Sequence, residues 1–275
     1  MFDSSAFMAR LSGPPLLMGI LNITPDSFSD GGRFLAPETA IAEAAAMTAD
    51  GADILDIGGE STRPGHAPIN AATEWARVRP VLEGVRQATS LPISIDTYKA
   101  ETAARALAAG ADIVNDVWGL QRDPGMAPLL AASSAPVICM HNRAEIDSRI
   151  DIVEDVLRFL ERSLTIAEAA GIASDRIVLD PGFGFGKTLE QSLYLLQNLD
   201  RIGALGRPLL IGLSRKGFIG RYSGEPTTSA RLAGTLTANL LAALGGHVAI
   251  IRVHDVKPHR QMLNMLAAVR PGAAR

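Results

Sequence analysis

Eight short apolar runs, each ending in polar residues or leading closely into them, alternate along this chain with stretches of helical spacing. Residues 18–21 end at Asn22. Residues 53–57 carry Asp56 and lead into Glu60-Ser61-Thr62-Arg63. Residues 92–95 end at Asp96, 113–114 at Asn115-Asp116, 136–140 at His141, and 177–179 at Asp180. Residues 209–213 run into Ser214-Arg215-Lys216, and 248–253 carry Arg252 and end at His254-Asp255. A short apolar run between turn signals reads as a strand of a buried parallel sheet. Eight of them, with helices expected at 37–50, 71–88, 99–109, 125–132, 150–170, 189–198, 229–244 and 257–268, predict a single (β/α)₈ barrel. Such barrels hold their chemistry at the C-terminal ends of the strands, where the polar residues fall here.

The 275 residues fit one domain, with a core expected from about 16 to 270, and the 47% hydrophobic content suffices for one large core. The net charge of −3, without a Lys/Arg block, gives no support to nucleic-acid or membrane-surface binding. The single cysteine, Cys139, excludes an internal disulfide, and its apolar surroundings read as a buried structural thiol. The first eleven residues lack a basic-then-apolar signal pattern, and no apolar stretch is long enough to span a membrane. The expectation is a soluble protein of a reducing compartment, most simply the cytoplasm.

Two connections, 22–32 and 58–69, are long and rich in turn residues, as lids and binding loops are. The segment from Asp180 to Thr188 looks like a phosphate loop, but a Walker loop needs glycine where Pro181 stands, and a dinucleotide loop needs glycine where Lys187 stands. Its glycines suit a backbone closing around a flat ligand instead. Asp56, Asp96, Asp116 and Asp180 stand at or next to strand ends, with Asn115 among them. Mixed with amides and a lysine, they suit the donor and acceptor edge of a nitrogen heterocycle. Helix capping or Arg pairing is the alternative for each aspartate, most strongly for Asp116.

Cations stand apart from that group: Arg63 on the second loop, Lys216 after the seventh run, and Arg252 and His254 on the eighth. Arg252 and His254 are two apart and so face one side of the strand. With Arg63 they suit a phosphate or pyrophosphate, and Asn22 could help to position a hydrated Mg²⁺ on it. His66, His247 and His259 show no metal-ligand spacing and read as surface or structural residues.

Eight segments of the chain closely resemble the dihydropteroate synthase family. They are Asn22-Ile23-Thr24-Pro25-Asp26-Ser27-Phe28-Ser29-Asp30-Gly31-Gly32, Gly58-Gly59-Glu60-Ser61-Thr62-Arg63-Pro64-Gly65, Ser94-Ile95-Asp96-Thr97, Asn115-Asp116-Val117 and Met140-His141. Asp180-Pro181-Gly182-Phe183-Gly184-Phe185-Gly186-Lys187, Gly212-Leu213-Ser214-Arg215-Lys216 and Arg252-Val253-His254-Asp255-Val256 complete the set, in order along nearly the whole chain. The resemblance implies a barrel transferase, normally a homodimer using Mg²⁺. It would join 6-hydroxymethyl-7,8-dihydropterin pyrophosphate to p-aminobenzoate and release pyrophosphate. It implies that Asp96, Asn115, Asp180 and Lys216 hold the pterin, with Met140 and Arg252 against its ring. Asn22, Thr62, Arg63, Arg252 and His254 would address the pyrophosphate, Asn22 with its metal, and the catalytic set would be Asn22, Arg63, Lys216, Arg252 and His254. Phe28, Thr62, Pro64, Phe185 and Gly217 would form the aminobenzoate pocket. Many relatives carry Ser where this chain has Gly217, whose backbone N–H remains to bind a carboxylate if a helix starts there. Two alternatives share the pterin residues: a methyltetrahydrofolate–corrinoid methyltransferase and a non-catalytic pterin binder. The first has no need of the 24–30 loop or the Ser-Arg-Lys cluster, and the second none of the leaving-group cations.

Overall fold

Runs of Ile, Val and Leu with a period of two give strands with two distinct faces, and in the computed structural model all eight close into one barrel. The structure describes residues 2–24, 37–61 and 67–270. The strands β1 (Leu16–Asn22), β2 (Ile54–Gly58), β3 (Ile93–Asp96), β4 (Ile113–Asp116), β5 (Val137–Met140), β6 (Ile177–Asp180), β7 (Leu209–Ile211) and β8 (Val248–Val253) are parallel and follow one another in sequence order. β8 returns to pair with β1, Leu16 opposite Ile250 and Met18 opposite Arg252. All eight expected strands are present. β4 runs on to Asp116 and β7 stops at Ile211, so Ser214, Arg215 and Lys216 stand on a connection rather than at a strand tip.

A first helix, α1 (Ser4–Arg10), was not expected from the sequence, which leaves the first fifteen residues as a lead-in. It has only seven residues, but its start signal is plain: Asp3 accepts the Ala6 N–H at 3.0 Å. Phe7 and Leu11 then pack against Leu16, Met18, Ile54, Ile113, Ile138, Val178, Leu210 and Ile250 and close the lower end of the barrel. The outward residues of the same strands, among them Leu17, Leu55, Ile95, Val114, Cys139, Leu179, Ile211 and Ile251, form a separate and larger core with the helices.

Those helices are α2 (Pro37–Ala49), α3 (Ala71–Ala88), α4 (Ala100–Ala108), α5 (Met126–Ala131), α6 (Ile152–Ala170), α7 (Leu189–Gln197), α8 (Leu199–Gly203), α9 (Gly217–Ser223), α10 (Leu232–Leu244) and α11 (Val256–Val269). Their ends follow local chemistry. Asp151 caps α6 by accepting from Val153 and Glu154, Gly171 ends it at φ 84°, and Thr188 and Gln191 form a capping box on α7. The short α8 and α9 lie outside the eight expected helices. Among the described residues no helix is long and apolar enough to cross a membrane.

Candidate active site

The barrel interior has two storeys, set by the period of the strands. Ile54, Ile113, Ile138, Val178 and Ile250 belong to the apolar floor, and the residues two positions later are Asp56, Asn115, Met140, Asp180 and Arg252. Arg252 is the hub of this upper layer. Its Nε donates to Asp56 Oδ2 at 2.6 Å and its Nη2 to Asp96 Oδ2 at 2.8 Å, while Asn115 Nδ2 donates to the same Asp56 oxygen at 3.2 Å. Asn22, at the tip of β1, lies beside them. A Cβ on Gly58 would stand 3.6 Å from both Asn22 Oδ1 and Asp96 Oδ2. Asp56 Oδ1, Ser94 Oγ and Asn115 Oδ1 are buried without a hydrogen-bond partner among the described residues. Buried polar atoms are normally satisfied, so this layer is built to receive further donors and acceptors.

Burial dominates the electrostatics. It pushes the Asp96 carboxyl up to about 7 against the pull of Arg252, with Asp56, Glu74 and Asp116 adding to the rise. It lifts Asp180 to about 6, opposed by the Gly182 N–H and by Lys216, Arg252 and Lys187. Lys216 is drawn down to about 8 by burial and by Arg252.

Beyond Asp180 the chain folds into a tight arch. The Gly182 N–H donates to Asp180 Oδ1 at 2.7 Å, and Phe183 stacks on Phe218 at 6.2 Å. The half-buried Phe185 ring lies 4.2 Å below Lys216 Nζ, so expected pterin and aminobenzoate residues meet here. At Gly182 the backbone has φ +66°, and a Cβ would stand 1.9 Å from the His141 carbonyl oxygen. Gly206 has a similar φ of +71° with nothing near. Gly206→Ala therefore bears only the conformational cost of about 1–2 kcal/mol, and Gly182→Ala is expected to lose clearly more in urea unfolding. Equal losses would show that the arch is not held against β5.

Other residues take roles the sequence did not specify. His141 is buried between Asp155 Oδ2, 3.1 Å from Nε2, and Lys187 Nζ, 2.7 Å from Nδ1. Asp116 faces outward and accepts from the Trp118 and Leu120 N–H groups at 2.9 and 2.8 Å, so it fixes the turn after β4 rather than capping a helix. Arg215 stands at φ 59° and is clamped by Asp255 through bonds of 3.0 and 2.6 Å, which ties the connection carrying Lys216 to the end of β8. Cys139 is buried with its thiol pushed well up by burial, as a structural cysteine should be. His259 is structural, bonded to Asn239 at 2.9 Å, and His247 is exposed.

One expectation needs correction. From sequence His254 counts as a cation, but burial, Arg215 and Arg252 pull it down to about 3, so it is neutral at neutral pH. Its Nδ1 lies 2.9 Å from Ser214 Oγ. Gly217 does open a helix, α9, directly after Lys216. Phe28, Thr62, Arg63, Pro64 and His66 lie outside the described residues. The structure thus brings Asn22, Asp96, Asn115, Met140, Asp180, Phe185, Lys216, Arg252 and His254 to one end of the barrel, at or just beyond the strand tips. Asp56 joins them in the same layer, bonded to Arg252 and Asn115.

A closed (β/α)₈ barrel whose upper layer mixes carboxylates, an amide and an arginine belongs with the pterin binding enzymes, and the model of that family matches residues 18–254. A dihydropteroate synthase of Bacillus subtilis (strain 168) is 45% identical over 92% of this chain and 88% of its own. The structure of Xanthomonas albilineans dihydropteroate synthase with 4-aminobenzoic acid superposes with a TM-score of 0.89 at 44% identity, covering 94% of each chain. The same enzyme in complex with 7,8-dihydropteroate gives 0.83 at 39% identity, again over 94% of each. The chain belongs to the dihydropteroate synthase family, transferases of folate synthesis, and the methyl-transfer and non-catalytic alternatives drop out.

Proposed function

We propose that the upper layer of this barrel joins 6-hydroxymethyl-7,8-dihydropterin pyrophosphate to p-aminobenzoate, giving 7,8-dihydropteroate and pyrophosphate. The observation that carries the assignment of roles is the inward row Asp96, Asn115, Asp180 and Arg252, with unsatisfied buried oxygens between its members. An aminopyrimidinone has two parallel N–H groups for the Asp180 carboxylate, and an edge that Asn115 and Asp96 can complete. Lys216 donates to a ring nitrogen or carbonyl, and Met140 and Arg252 pack against the ring.

The chemistry asks for little covalent help. The electron-rich dihydropterin stabilises positive charge at its exocyclic methylene as the C–O bond breaks and pyrophosphate leaves with the electron pair. The arylamine nitrogen then forms the C–N bond and loses a proton. Stabilising the leaving group is an electrostatic task for Arg63 and Arg252. His254 enters it neutral, and an arriving polyanion favours its protonation. Among the described residues no group of three or more His, Cys, Asp or Glu could hold a metal. The single side-chain oxygen of Asn22 suits a Mg²⁺ carried mainly by substrate phosphates and water. When bound, Mg²⁺ would neutralise charge on the departing pyrophosphate. Phe28, Thr62, Pro64, Phe185 and the Gly217 backbone would line the aminobenzoate pocket, where sulfonamide mimics would compete.

We further infer a cytoplasmic homodimer. Leu241 and Leu244 of α10 and Met265 and Val269 of α11 are exposed apolar side chains on neighbouring helices, a surface suited to a second copy. Purified protein supplied with the pterin pyrophosphate, p-aminobenzoate and Mg²⁺ is expected to release pyrophosphate only when both substrates are present. Release at the background rate would remove this reading.

A further inference from the structure

The arch between β6 and α7 is fastened by a buried lysine that the reaction just described does not use. Lys187 is 4% exposed, and its Nζ lies 2.7 Å from the Gly182 carbonyl, 3.1 Å from the Phe185 carbonyl and 2.7 Å from His141 Nδ1. An ammonium has three N–H donors and no acceptor, and here it meets three acceptors. The third bond fixes the imidazole. Nδ1 must present its lone pair, so the ring proton sits on Nε2 and is donated to Asp155 Oδ2. A neutral ring agrees with the fall of His141 to about 4, caused by burial and then by the Lys187 charge. Asp155 is held well below the usual carboxylate range by His141 and by Arg143, whose Nη1 donates to it at 2.7 Å. Burial draws Lys187 down to about 7 against the pull of Asp180, and the three bonds are what favour its charged form.

What the ammonium holds follows from distance along the chain. Asp180 is set by β6, opposite Met140, and by its own bond from Gly182. Phe185 lies five residues further on, and its backbone bonds run to the Gly182 carbonyl at 3.2 Å and to Lys187. Gly186 abuts Arg143 so closely that a Cβ would stand 2.3 Å from the Arg143 Cβ. The arch is therefore pressed against the β5 exit at one end and pinned by Lys187 near its crest.

We propose that Lys187 is a positioning residue, whose ammonium pins the Phe185 carbonyl and so sets the Phe185 ring against Lys216 on the aminobenzoate side of the site. The proposal rests on Phe185 lining that pocket.

The test is a cycle of Phe185→Ala, Lys187→Met and the double variant, with KM for p-aminobenzoate from steady-state rates and pterin Kd from calorimetry. Lys187→Met is expected to raise that KM at least about tenfold and the pterin Kd by less than about threefold. The double variant should be no worse than Phe185→Ala alone, because both changes remove the same ring placement. An unchanged KM, losses that multiply in the double variant, or a pterin Kd rising in step with KM overturns the role. If Phe185→Ala itself leaves KM unchanged, the pocket assignment is wrong and this role falls with it. If Phe185→Ala raises KM and Lys187→Met does not, only the lysine's role is lost. Should circular dichroism show Lys187→Met unfolded, His141→Phe enters the cycle in its place. It removes one of the three acceptors and keeps a ring against Phe159, 4.9 Å away. A KM rise of about threefold or more, absent in the Phe185→Ala background, supports the proposal, and no rise overturns it.

Discussion

Pterin affinity falls by about a hundredfold or more in Asp180→Asn, read by calorimetry, while the fold is kept. Each bond to a carboxylate is worth about 1.5–3 kcal/mol, and about 1.4 kcal/mol is a tenfold change in Kd. The amide can still accept from the Gly182 N–H, which donates to Asp180 Oδ1 at 2.7 Å, but it turns an N–H₂ toward the pterin's own donors. Unchanged affinity would show that the pterin edge lies elsewhere. The same carboxyl gives wild-type binding a pH dependence. Burial raises free Asp180 to about 6, whereas two N–H donors on a bound pterin favour its ionised form. Affinity is then full above that pH and falls as pH drops through about 6. Asp96, raised to about 7, adds a loss of the same sign at a higher pH. Asp180→Asn should abolish the lower step and leave the upper one.

The second large effect is on stability. Arg252→Met takes the guanidinium from between Asp56, which is 0% exposed, and Asp96, leaving both carboxylates without their cation. Breaking such a buried pair costs about 3–5 kcal/mol, to be read from chemical unfolding. Adding Asp56→Asn and Asp96→Asn removes the stranded charges and should return most of that stability without returning turnover. A single variant unfolding within about 1 kcal/mol of the wild type would mean that water already compensates the pair.

Much of the site was legible because strand periodicity and chemistry coincide. Asn115, Asp180 and Arg252 each follow an apolar inward residue by two positions, so apolar-then-polar spacing marks the polar upper storey. The same parity was available for Asp116, one residue past Asn115 and so on the outer face, where it caps backbone. Asp56 shares the spacing but looked like one acid among several. Its tie to Arg252 joins residues that become neighbours only through the barrel. The neutral state of His254 is a product of burial and of two arginines brought from elsewhere in the chain, which no local pattern carries. Helix α1 shows no readable period, because seven residues hold too few turns, although Asp3 marks its start. The bond between Lys187 and His141 spans two connections, and the glycine pattern between Asp180 and Lys187 resembles a phosphate loop instead.

The Arg252 hub also bears on the order in which the chain can fold. Asp56 and Asp96 come from the second and third strands, whereas their cation arrives on the last. Until β8 is in place, Asp56 and Asp96 lack their cation, and the sheet has no strand with which to close. Docking β8 then pairs it with β1 and neutralises the two acids in one step. The loop-closure entropy of joining first strand to last is met at the moment when that charge is quenched. The Arg252 guanidinium is thus also a latch on the finished barrel.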